Sequence, residues 1–220
     1  MFYPGNIRPV SLSPAKNNMT STSLYCTAFE ENRCIASGPL SEVAVQVKLL
    51  ADQNRKKTIL IFDDLSSELI ELDLRGSSLD VLQRLQASEQ AAAPAPEETP
   101  RGPGRPKLGV VAREVTLLPR HWQWLGSQPG GASVALRKLV EEARRSHEGK
   151  DRVRRAQEAG YRFLSAIAGH QAGFEEACRA LFAGDAPRFG SLTASWPADV
   201  RRHAGKLLAP AFEAQATDTA

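Results

Sequence analysis

Arg101, Arg105 and Lys107 stand in RGPGRPK among two prolines and two glycines. Proline holds the backbone extended and glycine lets it approach another surface closely, so these cationic side chains can follow a narrow groove. The A·T-rich minor groove of double-stranded DNA suits such an arm, because its narrow width concentrates negative potential. Further along, Arg113 and Thr116 lie in a short run of strand character, REVTLL. A hydroxyl there can bond to base-edge donors or acceptors, and a guanidinium to phosphate or a base. Ser133 opens a helical stretch with Arg137 and Lys138 one turn on. The free N–H groups of a helix start point at any anion placed there, so phosphate clamping and simple capping by Ser133 both fit. The same cations also fit a linker and a helix face that merely carry solubilising charge.

Nothing else in the chain converges on chemistry. Asp63 and Asp64 are adjacent at a strand end, where neighbouring side chains point opposite ways, and a turn-forming role is expected of them. Cys26, Cys34 and Cys178 are odd in number and contain no C-x-x-C spacing. Cys26 and Cys34 fall on the two arms of a hairpin, which leaves a disulfide open, although reduced thiols are expected. His121, His147, His170 and His203 share no ligand or triad spacing and read as surface or cap residues. No catalytic residue, metal site or cofactor is assigned, and an enzyme is not expected.

The elements that position the cationic residues form an α+β architecture. Residues 1–22 read as a tail, with translation starting at Met1 or Met19. Residues 23–86 give two strands around a turn at Glu30–Arg33, a helix over 40–53, an apolar strand TILIFDD, an alternating strand over 68–76 and a helix over Ser78–Leu85. That order is a small ββαββα domain. A Pro/Gly/Ala linker follows at 87–109 and contains the basic arm. Residues 110–147 carry the strand, a helix opened by Pro119, a turn at Pro129-Gly130-Gly131 and the helix opened by Ser133. Residues 148–212 make a helical bundle: one helix over Asp151–Ala168, then Phe174–Phe182, a turn at 184–187, Phe189–Trp196 and a helix from Pro197 to Leu208. Tyr161, Phe163, Phe182, Phe189, Trp196 and Phe212 are expected in its core, and 213–220 as a frayed tail. Trp122 and Trp124 are expected around Leu125 or at a dimer or interdomain surface.

Charge divides along this order. Residues 23–100 hold 7 Lys/Arg against 13 Asp/Glu, whereas 101–155 hold 13 against 5. The positive field therefore gathers in the arm and the helices after it, a pattern that attracts a polyanion. The acidic N-terminal domain leaves room for a partner of its own. No apolar run reaches the roughly 20 residues that cross a bilayer, so no membrane partner is expected and the cytoplasm is the default location.

Three resemblances follow from these residues. Gly104-Arg105-Pro106-Lys107 resembles the AT-hook, whose core is Arg-Gly-Arg-Pro; Pro103 stands where the first core Arg would be. The segment from Arg113 resembles the ribbon-helix-helix family in its short strand stopped by Leu118-Pro119, its Gly-containing turn and its second helix SVALRKLV. That likeness implies a dimer whose paired strands enter the major groove, with the second helix start on phosphate. The residues two, four and six before the Pro, which face the bases in that family, are Leu117, Val115 and Arg113. Two of them are apolar, so either the strand carries an extra residue and turns Glu114 and Thr116 outward, or this copy does not read bases. From SLYCTAFE through WPADVRRHA, about residues 22–212, the chain resembles the DUF2239 family of bacterial proteins, which carries no known activity. Together these imply a homodimeric DNA-binding protein, a transcriptional regulator or nucleoid-associated factor. The alternative is a protein-interaction or assembly module that uses the strand-helix-helix segment for dimerisation alone.

Overall fold

The computed structural model describes residues 24–53, 57–92, 111 and 113–218. Tyr25–Glu30 (β1) turns through Glu31 and Asn32 into Arg33–Pro39 (β2), with Glu31 at a φ of 53°. Leu40–Gln53 (α1) follows, then Ile59–Asp63 (β3). The three strands are antiparallel in the order β2-β1-β3, with a bulge between Ala28 and Phe29. Central β1 alternates between two buried faces, as the two-residue period of a strand demands. Cys26 and Ala28, with Ala36 and Ile61, meet Leu40, Val43 and Val47 of α1. Phe29, with Phe62 of β3, enters a second cluster on the opposite face.

The partner on that opposite face comes from the far end of the chain. Gly131–Ala168 (α4) contributes Ala159, Phe163, Leu164 and Ile167, and Ala198–Asp218 (α7) contributes Val200, Ala204, Leu207 and Leu208. Phe174–Ala183 (α5) and Ala186–Leu192 (α6) close the bundle through Leu181 and Phe189. The ring of Phe163 lies 5.2 Å from those of both Phe29 and Phe62. The Cys34 N–H donates to Asp199 Oδ2 at 3.0 Å and ties β2 to α7. Sheet and helical bundle thus share one core, and the N-terminal segment borrows the cover that a sheet this small needs.

Several expectations change. The alternating stretch at 68–76 is not a fourth strand: only Phe62 and Leu69 form a bridge, after which the segment leaves β3. Its alternation holds, because Ile70, Leu72 and Leu74 pack against the α1-side cluster while Glu71 and Asp73 face outward. The order is therefore ββαβα. Ser78–Ala92 (α2) runs past Leu85 into the stretch expected as linker, and residues 93–110 lie outside those described. α6 starts at Ala186, where the Asp185 carboxylate caps it by accepting from the Arg188 N–H at 3.0 Å. α7 continues beyond Leu208 through Pro210 to Asp218, where a frayed tail was expected. Tyr161 and Phe182 are exposed and pack on each other with ring centroids 5.6 Å apart, outside the core expected to hold them. Cys26 pairs with Gly38 and Cys34 with Phe29, so the thiols point to opposite faces and all three cysteines are free. Burial pushes the Cys26 thiol up to about 12, with Asp64 and Asp63 adding to the effect. Asp63 does form a turn, its Oδ1 accepting from the N–H groups of Leu65 and Ser66.

Two glycines of α4 make opposite predictions. At Gly160 an added Cβ would lie 2.5 Å from Leu208 Cδ2, so Gly160→Ala overpacks the α4–α7 crossing and should cost about 1–3 kcal/mol. At Gly149 an added Cβ meets nothing within 4 Å, and Gly149→Ala should stabilise by up to about 1 kcal/mol through helix propensity. Urea unfolding of both variants checks the pair; equal effects of one sign would contradict this packing.

Candidate nucleic-acid interface

Residues 113–118 form no strand within the single chain. Arg113, Glu114, Val115, Thr116 and Leu118 are exposed and Leu117 is partly covered. A two-stranded ribbon needs a second strand, and among the described residues none pairs with this segment. Neither the Arg113/Val115/Leu117 set nor the Glu114/Thr116 set is singled out as outward-facing. Pro119 then begins Pro119–Ser127 (α3), where its missing N–H costs nothing because first-turn N–H groups have no helical partner. The residue before it, Leu118, is extended, as proline requires of its predecessor.

The turn from Gln128 to Gly130 folds α3 back on α4. Gly130 has a φ of 86°, a left-handed conformation that favours glycine, and an added Cβ would meet Val134 at 3.1 Å. Leu125 and Ala135 are buried where the two helices touch. Beyond them the hairpin is open: Trp122, Trp124, Leu139 and Val140 are all exposed, Val140 at 57% and Trp124 at 51%. Trp124 and Leu139 line a shallow hollow with Ala135, Pro129 and the stem of Lys138. The two tryptophans, expected around Leu125 or at a dimer or interdomain surface, keep 42% and 51% of their surface in solvent.

α4 differs from expectation in two ways. It starts at Gly131, with Gly130 as its N-cap, so Ser133 is the third helical residue and its side chain makes no cap. The Ser133 carbonyl instead accepts from Arg137 Nε at 3.2 Å. It also continues without a break to Ala168, joining what had been expected as two helices into one of 38 residues. At 1.5 Å per residue that is about 57 Å. Every residue from Arg137 to Lys150 is exposed, so this part of the helix stands free in solvent.

The electrostatics of that free length are mixed. Residues 137–155 hold eight basic and four acidic side chains. Arg144 and Arg145 both reach Glu141, at 3.3 and 3.9 Å, and Arg154 reaches Asp151 at 2.9 Å. Exposed pairs of this kind add only a few tenths of a kcal/mol each, yet they lower the local positive field. Of the expected site residues, Ser133, Arg137 and Lys138 share the first two turns of α4, and Arg113 and Thr116 lie in the extended segment before α3. Arg101, Arg105 and Lys107 lie outside the described residues. No group of three metal-ligating side chains occurs among the described residues, and none of their helices is long and apolar enough to cross a membrane.

The sequence reading missed one residue of chemical interest. His203, expected at the surface, is 8% exposed, and its ring sits 4.6 Å from that of Phe163 and 5.4 Å from that of Phe29. The spacing Val200, His203, Ala204, Leu207 puts it on the apolar stripe of α7, a signal that was available in the sequence.

A family model described as an uncharacterized protein conserved in bacteria matches residues 25–208. No curated protein and no solved structure matches the chain.

Because Ser133 is inside the first turn rather than at the cap, Ser133→Ala should change stability by no more than about 0.5 kcal/mol. Asp185→Ala, which removes a real cap, should cost about 1 kcal/mol. Denaturant midpoints of the two variants test the placement of the helix start, and a larger loss at Ser133 would contradict it.

Proposed function

We propose that this chain, which belongs to the DUF2239 family, is a homodimeric DNA-binding protein that joins through the α3–α4 hairpin and holds duplex DNA mainly by its phosphates. One observation carries the reading: a hairpin with a thin core of its own leaves Val115, Leu118, Trp122, Trp124, Leu139 and Val140 exposed beside Arg137 and Lys138. From their exposed fractions these six leave on the order of 500 Å² of apolar surface open, the size of the largest apolar patch on a typical monomer, which is often functional. Two such faces, with their polar rims, approach the roughly 1,600 Å² of a standard interface.

In this reading a second copy supplies the missing strand for residues 113–118 and covers the apolar faces of both hairpins. Thr116 and Arg113 then lie on the ribbon, near bases or phosphate. The free N–H groups of the first turn of α4, around Ser133, act as a phosphate clamp, with Arg137 and Lys138 adding charge. Arg101, Arg105 and Lys107 precede the ribbon and are assigned to the neighbouring A·T-rich minor groove. Regulation of transcription or compaction of the nucleoid are the roles this chemistry serves. The apolar Val115 and Leu117 also favour a second reading, an assembly module in which the hairpin only dimerises.

Sedimentation combined with a salt titration of binding to a mixed-sequence duplex separates the two. DNA binding predicts a dimer whose affinity falls steeply with salt, about a thousandfold or more between 50 and 200 mM for six or more phosphate contacts. Arg137→Ala with Lys138→Ala should weaken binding alike on all sequences and lower the salt slope by about one per lost contact. A dimer that binds no duplex at 50 mM salt selects the assembly reading, and a monomer removes both.

A further inference from the structure

His203 projects from α7 into the joint between the sheet and the bundle, against Phe29 of β1 and Phe163 of α4. Its Nε2 is one of two buried polar side-chain atoms among the described residues that have no hydrogen-bond partner; Ser67 Oγ is the other. The neutral ring is tolerated there because one ring nitrogen needs no proton and the ring itself is flat and largely apolar. The imidazolium would place a full charge between two phenyl rings with a donor unsatisfied.

We propose that His203 is a proton-operated latch: neutral, it closes the sheet onto α4 and α7 as part of the aromatic cluster, and protonated, it loosens that joint. Two charged groups act on it directly. Asp64, in the turn after β3, favours the charged ring, and Lys206, on α7 itself, opposes it. Asp64 is partly engaged, its Oδ1 accepting from the Thr27 hydroxyl at 2.6 Å. Several other charged groups on the surrounding elements are held in bonds of their own. Arg162 of α4 donates to the Ser66 carbonyl, Asp199 takes the Cys34 N–H and Arg202, and Glu30 of β1 pairs with Lys57 at 3.1 Å.

Burial wins over Asp64, and the His203 pKa lies below the ordinary 6.5. The unfolded chain therefore binds this proton before the folded one does. The stability that His203 contributes is complete above about pH 6.5, declines as the pH falls toward the lowered folded value, and then stops changing. The latch would loosen on mild acidification.

The test follows the imidazole signals of the intact chain by NMR and its urea midpoint from pH 7.5 to 5. The urea-unfolded chain supplies the reference for His203. Its signal should titrate lower in the folded chain than in the unfolded one, and the folding equilibrium constant should fall about tenfold per unit of that difference across the window. His203→Phe should remove this part of the acid loss. Asp64→Asn should shift the His203 titration further down, and that readout holds should His203→Phe fail to fold. A His203 signal that titrates alike in the folded and the unfolded chain, or a folded His203→Phe protein whose midpoint follows the wild-type pH curve, would overturn the latch.

Discussion

A three-stranded sheet has two faces to bury, and α1 with the 68–76 segment covers only one of them. The other is closed by Phe29 and Phe62 meeting Phe163, with His203 beside them. Aromatic pairs in tilted or edge-on contact add about 0.5–1.5 kcal/mol each beyond the area they bury. Area matters more: each phenyl side chain taken fully from water contributes roughly 2–3 kcal/mol, and all three are buried. Removing the helices would return that face to solvent. The family match spanning residues 25–208 takes in both sides of this joint.

The same constraint fixes where α4 can go. Its last third is committed to the core through Ala159, Phe163, Leu164 and Ile167. Its first turns are committed to α3 through Ala135 and Leu125. From Glu141 to Lys150 every residue is exposed, and this length is held by Ala, Arg and Glu propensity, by i,i+3 and i,i+4 pairs around Glu141 and Asp151, and by its two anchored ends. Gly149 is the weakest point of that length. A helix anchored at both ends acts as a rigid spacer, so whatever orients the hairpin also orients the sheet and bundle.

What the sequence made legible was whatever local rules govern. Pro119 marked a helix start, Gly130 a turn, and the stripe Val153, Ala156, Gly160, Phe163, Leu164 and Ile167 an apolar face that is buried from Ala156 onward. Alternation over Ile70, Leu72 and Leu74 correctly gave the inward side chains, yet not whether their backbone would pair, because pairing depends on the distance to β3 rather than on side-chain order. Two helices, one in the 110–147 module and one over Asp151–Ala168, were expected where α4 runs unbroken, and Gly149 lies where they would have parted. A single glycine costs a helix only about 1 kcal/mol, less than the cooperativity of two anchored ends supplies. His203 was misread because its polarity was weighed above its spacing. For the candidate site, the sequence located the helices and the cations but not the acids that partner Arg144, Arg145 and Arg154, since those pairs depend on which side chains share a helix face.

The hairpin is the least self-sufficient part of the chain, and its energetics say why. Burying Leu125 contributes roughly 2 kcal/mol, whereas ordering the nine residues of α3 costs on the order of 10 kcal/mol in backbone entropy. Hydrogen bonds inside a helix that short bring the balance only near zero, since isolated helices below about 12 residues are marginal in water. Trp122 and Trp124 hold the largest unspent apolar surface on α3, and Leu139 and Val140 face solvent on α4. Covering those four side chains would supply what Leu125 alone does not. A second hairpin of the same sequence is the cover proposed above, because a two-fold interface places each exposed patch against its own copy. In that proposal the dimer serves the hairpin's stability as well as the holding of DNA.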